Sequence, residues 1–327
     1  MFSKSLGIAA SFFFACSLSA HADESWKPES SDPIKLTINE WTGQVTTTHI
    51  AGKILTDMGY NVQYVTAGYF PQMTALQDGS VTAALEIWTT NIGDAYDKAI
   101  ASKQVVDIGA LGLKPVETWF YAGYMEEKCP GLPDWTALKK CASAFATPDT
   151  APEGRLVDYP ADWGTTNKDR LKALGLPFVS MPAGSEGAIV AEIKNAFAKK
   201  LPLLVMWYKP HWVYGKYDLR QVELPPYQPG CFDKPEVGIN PKATYDCDFV
   251  RGDVRKVAWV DMAKKWPAAV KLLSALTIHN DEQIDMITKI DDGGASIDQV
   301  TDEWVKAHDA EVKGWIADAE KVAEARK

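Results

Sequence analysis

The residues with the clearest chemical meaning are five tryptophans at or near the ends of strand-like apolar runs, beside turn residues. They are Trp41, Trp88, Trp119, Trp163 and Trp207. In an open α/β sheet, ligands bind outside the carboxyl ends of the strands. Aromatic rings that converge there form a box with negative π faces, which holds a quaternary ammonium by cation–π attraction. The pattern predicts a site for a methylated cation, although a single tryptophan is more often part of a core.

Motifs of catalysis are missing from the sequence. It contains no G-x-S-x-G, no H-E-x-x-H and no Gly-rich phosphate loop. An exported α/β enzyme that acts on a small methylated amine is the alternative function, and a structural or adhesion protein is a third. The absence of internal repeats counts against the third. We therefore expect a binding protein with no catalytic residues and no cofactor.

The N-terminal residues 1–22 have the pattern of a signal peptide. Lys4 supplies a positive charge, residues 6–18 are apolar, and residues 20–22 (AHA) match a small-x-small cleavage site. Lipoprotein processing at Cys16 is a weaker alternative. Removal of residues 1–22 takes away Lys4 and no acid, so the net charge of −9 becomes −10. An acidic exported chain argues against nucleic acid as a partner, and we expect a periplasmic monomer.

Four cysteines remain after Cys16 is removed with the signal peptide. An even number in an oxidising compartment indicates disulfides. The sequence alone allows three pairings, and short loops close at the least entropic cost. The pairs Cys129–Cys141 and Cys231–Cys247 are therefore favoured. No metal site is expected, although Asp233, Asp246 and Asp248 leave a calcium ion as an open alternative.

Strand and helix patterns alternate along the chain, which indicates an α/β class with mostly parallel sheets flanked by helices. We divide the mature chain into a first part of lobe 1 (23–115), lobe 2 (116–224), and an irregular disulfide loop with a return to lobe 1 (225–327). Residues 143–146 are predicted to form a strand and residues 148–164 a loop. Two lobes joined by crossings predict a ligand cleft at the hinge.

Several segments resemble the substrate-binding proteins of ABC importers for glycine betaine, choline and related methylated amines. The fold of that family is the two-lobed periplasmic binding protein, type II-like. The resemblance covers nearly the whole mature chain and is strongest in the last two segments. The segments are EWTGQ at 40–44, MGYNV at 58–62, DGS at 78–80 with LEIW at 85–88, DWG at 162–164, GSEGA at 184–188 and WYKPHW at 207–212.

The resemblance implies a role for four tryptophans. The cage positions of the family correspond to Trp41, Trp88, Trp163 and Trp207. Trp119 is a fifth candidate, with a packed strand as its alternative. Glu40 beside the first of them is a candidate negative charge near the ligand's cation, with a solvent-facing strand end as its alternative.

The resemblance also implies an anion-binding end. In betaine-type members, backbone N–H groups after the Trp-Gly pair hold the ligand carboxylate, and here these belong to Gly164 and Thr165. His211 is a further donor to the same end. Many members continue Trp-Gly with Cys, whereas this chain has Thr165, which weakens the carboxylate prediction. Glycine betaine, trimethylamine N-oxide, choline and carnitine stay open as ligands, and an ABC permease in the inner membrane is the implied partner.

Overall fold

The computed structural model describes residues 26–325, so the predicted signal peptide lies outside the described residues. No helix within that range combines the length and apolar character that a bilayer crossing requires. Eleven strands and twelve α-helices are found there. They are β1 Ile34–Ile38, α1 Thr42–Asp57, β2 Val62–Thr66, α2 Pro71–Gln77, β3 Ala83–Trp88, α3 Asp94–Ala101, β4 Val105–Ala110, β5 Val116–Ala122, β6 Pro130–Pro133, α4 Thr136–Cys141, β7 Gly154–Asp158, α5 Asn167–Ala173, β8 Phe178–Pro182, α6 Glu186–Lys199, β9 Leu204–Lys209, α7 Val213–Lys216, β10 Leu219–Gln221, β11 Val254–Trp259, α8 Met262–Lys265, α9 Pro267–Ala275, α10 Asn280–Ile287, α11 Ile297–Ala307 and α12 Asp309–Glu324.

The first sheet has the strand order β2-β1-β3-β11-β4. Strands β2, β1 and β3 are parallel, and β11 runs antiparallel between β3 and β4. The chain therefore leaves this sheet after β4 and returns to it near its end. Helix α11 packs on α1, and α12 packs on α9. We call the part built on this sheet lobe 1.

The second sheet has the order β10-β5-β9-β7-β8, and we call the part built on it lobe 2. Strands β9, β7 and β8 are parallel, whereas β5 is antiparallel to both of its neighbours. Two sheets flanked by helices confirm the predicted α/β class. Each sheet is mixed, because a single strand runs against the direction of the other four.

One segment of lobe 2 was predicted wrongly. Residues 142–145 form a 3₁₀ turn where a strand was expected, and the expected loop contains β7, Gly154–Asp158. Tyr159 follows this strand directly and is buried. Short apolar runs are ambiguous between helix and strand, and β7 is a five-residue strand that follows a turn-rich stretch. The error matters because β7 leads into the site described below.

The long irregular segment between β10 and β11 is held by a covalent bond and a buried cation. Cys231 is bonded to Cys247, and Cys129 to Cys141, which are the two local pairs of the prediction. The guanidinium of Arg170, from α5, donates to the carbonyl oxygen of Cys247 at 2.8 Å. It also lies 3.7 Å from the centre of the Phe249 ring. These contacts attach the loop to lobe 2.

Candidate functional site

A small cavity lies between the carboxyl ends of strands from the two lobes. Six of the eight residues that line it are aromatic, and the other two carry an amide and a carboxyl group. The eight are Trp41, Tyr69, Trp88, Asn91, Glu117, Tyr159, Trp163 and Tyr208. This composition makes the cavity apolar over most of its wall with two polar groups, as in many small-molecule sites.

The positions of these residues follow from the strand ends. Trp88 is the last residue of β3, and Trp41 caps the start of α1 after β1. On lobe 2, Tyr159 follows β7, and Trp163 ends a short turn after it. Tyr208 is the fifth residue of β9. The rings meet because parallel strands end at the same edge of each sheet and the two edges face one another.

The rings pack edge to face, which gives the cavity walls at steep angles to one another. The centroids of Trp41 and Trp163, from different lobes, are 5.4 Å apart with an interplanar angle of 70°. Trp88 and Tyr208 also join the two lobes, at 5.2 Å and 79°. Tyr69 lies 5.4 Å from Trp41. Such a box presents π faces from several directions, the arrangement that a methylated cation requires.

Glu86 lies behind the lobe 1 wall and is buried. Its Oε2 accepts the indole N–H of Trp41 at 3.0 Å and that of Trp88 at 3.2 Å. Its Oε1 accepts the hydroxyl of Thr47 at 2.8 Å and the amide of Gln283 at 2.7 Å. Burial raises the pKa of Glu86, and these four hydrogen bonds act in the opposite direction.

Glu117 is the only acid among the eight lining residues. It stands directly opposite Tyr208 in the pairing of β5 with β9, so both side chains lie on one face of the sheet. The hydroxyl of Thr90 donates to it. Burial raises the pKa of Glu117 to about 7, and the bond from Thr90 opposes that shift. Near neutral pH this group exists in both protonation states.

Trp119 and Trp207 do not line the cavity. Both are fully buried in the middle of strands, each as the fourth residue. Trp207 precedes Tyr208, and neighbouring residues of a strand point to opposite faces. Trp119 shares a face with Glu117 but lies two residues deeper in the sheet. Its Nε1 donates to Oδ1 of Asn167 at 2.7 Å, which anchors the loop that carries Trp163.

The residues expected to bind the anionic end of the ligand are also not among the eight that line the cavity. The hydroxyl of Thr165 donates to Asp158 at 2.8 Å, and a Cβ on Gly164 would lie 2.5 Å from the Phe70 ring. His211 is buried, with its Nε2 3.6 Å from Oε1 of Glu186. Glu40 is exposed, and its pKa is raised by partial loss of hydration of the carboxyl and by the negative charge of the nearby Asp162.

Polar contacts cross the cleft beside the cavity. The carboxylate of Glu186, at the start of α6 in lobe 2, accepts the backbone N–H of Thr42 in lobe 1 at 2.8 Å. The amide of Asn91 donates to the carbonyl oxygen of Trp163 at 2.9 Å. Burial alone would raise the pKa of Glu186, but the neighbouring imidazole of His211 brings it below the usual value. The structure is therefore a form in which the two lobes touch.

Several site residues escaped prediction from the sequence. Tyr69, Tyr159 and Tyr208 carry no more signal than any other tyrosine, and Glu86 and Glu117 are acids inside strands. The position next to Trp207 in the WYKPHW segment was the one available clue for Tyr208, since alternation along β9 puts one of the two rings on each face.

The acids of the disulfide loop do not gather around a point. Within residues 26–325 no group of three or more His, Cys, Asp or Glu side chains is placed to hold a metal ion. Asp248 contacts the Arg251 guanidinium at 2.8 Å, and its other oxygen accepts from Thr118 at 3.2 Å. The carboxylate of Asp246 accepts the backbone N–H of Asn240.

Two α/β lobes that enclose a cavity between their strand ends define a solute-binding protein of the two-lobed kind. Residues 32–307 match the model of the substrate-binding domain of ABC-type glycine betaine transport systems, and the chain belongs to this family. The predicted resemblance, fold and class of function are thereby confirmed. The family members are binding proteins of transporters.

Individual relatives agree with this assignment. The chain is 30% identical over 301 residues to a trimethylamine N-oxide-binding protein of Pelagibacter ubique (strain HTCC1062), covering 90% of each chain. Lactococcal OpuAC in its closed form with glycine betaine has a TM-score of 0.68 at 16% identity, covering 87% of this chain and 99% of its own. A choline-binding protein in complex with choline reaches 0.69 at 16% identity, with coverage of 92% and 99%. At such identities the solved structures establish the fold.

Proposed function

We propose that this protein captures trimethylamine N-oxide in the periplasm and delivers it to an ABC permease in the inner membrane. The proposal includes removal of residues 1–22, action as a monomer, and closure of the lobes about hinges near residue 115 and within residues 225–253. Support comes from the family, from the trimethylamine N-oxide-binding relative, and above all from the residues that line the cavity.

The observation that carries the proposal is an aromatic box with no cationic side chain in its wall. Among the described residues that line the cavity, none is Lys, Arg or His. A methylated nitrogen has no N–H to donate, so hydrogen bonds cannot select it. Its charge is spread over methyl groups, which suits apolar contact and attraction to ring faces, worth about 2 kcal/mol or more when the contact is desolvated. Trp41, Trp88 and Trp163 supply the indole faces.

We propose that Glu117 binds the oxygen of the ligand. An N-oxide oxygen accepts hydrogen bonds, and a protonated carboxyl group is a donor. Glycine betaine would instead bring a carboxylate beside Glu117, without a cation in the wall to offset the repulsion between two anions. Gly164, Thr165 and His211, which the resemblance suggested as carboxylate donors, lie outside the wall. The ligand with a single oxygen therefore fits best.

Closure would couple binding to recognition by the permease. Trp41 and Trp88 belong to lobe 1, whereas Tyr159, Trp163 and Tyr208 belong to lobe 2. Only the closed form gives the ligand all of these contacts. The ligand then shifts the population of closed protein by its differential affinity for the two forms. We propose that the closed form is the one the permease recognises.

The test is calorimetric titration of protein starting at Asp23 with trimethylamine N-oxide, glycine betaine and choline at pH 6 and pH 8.5. We expect the N-oxide to bind tightest at pH 6 and to weaken at pH 8.5, where Glu117 is ionised. Choline, whose hydroxyl can donate, should gain affinity over the same range. Glycine betaine binding tighter than the N-oxide at both pH values would refute the ligand assignment, and no binding by any of the three would refute the class.

A matched pair of variants isolates the role of Glu117. Glu117→Gln keeps a donor in place, so N-oxide affinity should stay within about threefold and lose its pH dependence. Glu117→Met keeps the approximate shape of the side chain without a donor. It should weaken the binding of the N-oxide by roughly 5- to 100-fold, because the ligand's oxygen would be buried without a hydrogen-bond partner. Equal affinities for the two variants would show that the carboxyl group does not contact the ligand's oxygen.

The alternative of an exported enzyme that acts on a methylated amine is tested with the same protein. Each ligand is incubated with it, and the solution is analysed by NMR for demethylated or reduced products. Loss of substrate above the rate in a protein-free control would favour the enzyme.

A further inference from the structure

Glu86 has a contact pattern that a purely structural acid does not need. The N–H edges of Trp41 and Trp88 both point to the same oxygen of this carboxylate, at 3.0 and 3.2 Å. Glu86 does not line the cavity, whereas both indoles do. The polar edge of each ring is therefore turned away from the ligand space, and the remainder of the ring forms its wall.

The partners of Glu86 favour its ionised form by geometry. An indole N–H can only donate, so Trp41 and Trp88 both require an acceptor at Oε2. The amide of Gln283 and the hydroxyl of Thr47 donate to Oε1. Four donors therefore point to the two oxygens, and they oppose the effect of burial on the pKa of Glu86. None of these four partners is a cation, so a charge on this carboxylate is compensated by dipoles alone.

We propose that Glu86 is a positioning and specificity-determining residue: it holds the two lobe 1 indoles with their faces toward the cavity and places a negative charge behind them, so that the site prefers a cation to a neutral molecule of the same shape. The inference rests on the proposed function for its ligand class. Attraction between this charge and a cation in the cavity adds to the attraction of the ring faces, because water is excluded from the space between them.

The network reaches into the rest of lobe 1. Thr47 lies on α1 and Gln283 on α10, so the carboxylate connects both helices to the end of β3. Gly43 permits the close approach, since a Cβ there would lie 2.9 Å from Nε2 of Gln283. All four contacts lie within lobe 1, so they do not depend on closure of the lobes, and such preorganisation reduces the cost of binding.

The test uses Glu86→Gln, with Thr46→Val as the control. Thr46 is buried on the same helix as Thr47, but its hydroxyl donates to the carbonyl oxygen of Thr42 and not to Glu86. Two readouts are needed. The first is the set of indole ¹H–¹⁵N resonances of ligand-free protein, assigned with Trp41→Phe and Trp88→Phe. The second is the ratio of affinities for choline and for its neutral carbon isostere, 3,3-dimethylbutan-1-ol.

We expect Glu86→Gln to shift both indole resonances and to lower the choline-to-isostere affinity ratio at least fivefold, whereas Thr46→Val changes neither by much. Unmoved resonances, or an unchanged ratio, would overturn the proposal. If Glu86→Gln does not fold, Glu86→Asp replaces it: the shorter acid should shift the resonances and retain the ratio. Failure of the wild type to bind any methylated amine would refute the proposed function, while the indole spectra would still decide whether Glu86 holds the rings.

Discussion

Trp88 and Trp207 end similar apolar runs in the two lobes, yet they occupy different environments. Trp88 is the last residue of β3 and forms part of the cavity wall, with its indole N–H on Glu86. Trp207 is two residues short of the end of β9 and is fully buried against the ring of His211, at a centroid distance of 4.9 Å. Tyr208, the next residue, takes the place in the wall. A single step along a strand therefore separates a cavity-facing ring from a core ring.

Trp119 lies on the same face of its sheet as the wall residue Glu117, but deeper in the sheet, further from the edge where the lobes meet. From there it supports the wall, since its hydrogen bond to Asn167 holds the loop after Trp163. The comparison separates rings that line the cavity from rings that support its wall, and we expect substitutions of the two kinds to have different effects.

The largest effect is expected from Trp207→Ala, which empties a fully buried site in lobe 2. Removal of a buried tryptophan costs about 3–5 kcal/mol in the free energy of unfolding. Urea denaturation followed by far-UV circular dichroism measures it, with Trp88→Ala as the comparison. Unchanged stability together with a large loss of ligand affinity would place Trp207 among the wall residues instead.

A smaller effect on stability should follow the ionisation of Glu117. Because burial raises its folded-state pKa to about 7 from 4.5, the folded protein binds the proton more tightly. This binding stabilises the folded state below about pH 4.5, and the stabilisation is lost as the pH rises through 7. Between pH 5 and pH 8 the free energy of unfolding of the wild type should therefore fall by about 2–3 kcal/mol relative to that of Glu117→Gln. Parallel stability profiles for the two proteins would show that the carboxyl group is not buried as described.

Trp88→Ala should weaken the binding of trimethylamine N-oxide by at least about 10-fold, or about 1.4 kcal/mol, because one desolvated ring face is lost. Trp41→Ala should behave alike, and Trp88→Phe should cost less because a smaller ring remains. Calorimetry on folded variants measures this. Near-native affinity in both alanine variants would remove the box from the mechanism.

The smallest effect is expected from Trp119→Phe. The ring largely remains, and the lost hydrogen bond from Nε1 to Asn167 should cost about 1 kcal/mol of stability. Ligand affinity should change less than threefold. A loss as large as that of Trp88→Ala would mean that support of the Trp163 loop is as important to binding as the wall itself.

Much of this protein was predictable because it depends on residue types and local periodicity. The alternation of strands and helices predicted the α/β class, and tryptophans at strand ends predicted an aromatic site. The error at β7 had a local cause, since a five-residue strand between turn residues carries little periodicity. It concealed Tyr159, whose position depends on where that strand ends.

The amino-acid sequence by itself determined that strands would end in aromatic residues, which is enough to specify a site for a methylated amine within this family. Only the tertiary structure decided which rings line the cavity, because side chains alternate along a strand and the depth of each residue depends on the pairing of β5 with β9. It also decided the surroundings of Glu86 and Glu117. A carboxyl group in a strand acquires a shifted pKa or an indole partner only when distant segments bury it, and that burial is a property of the packed lobes.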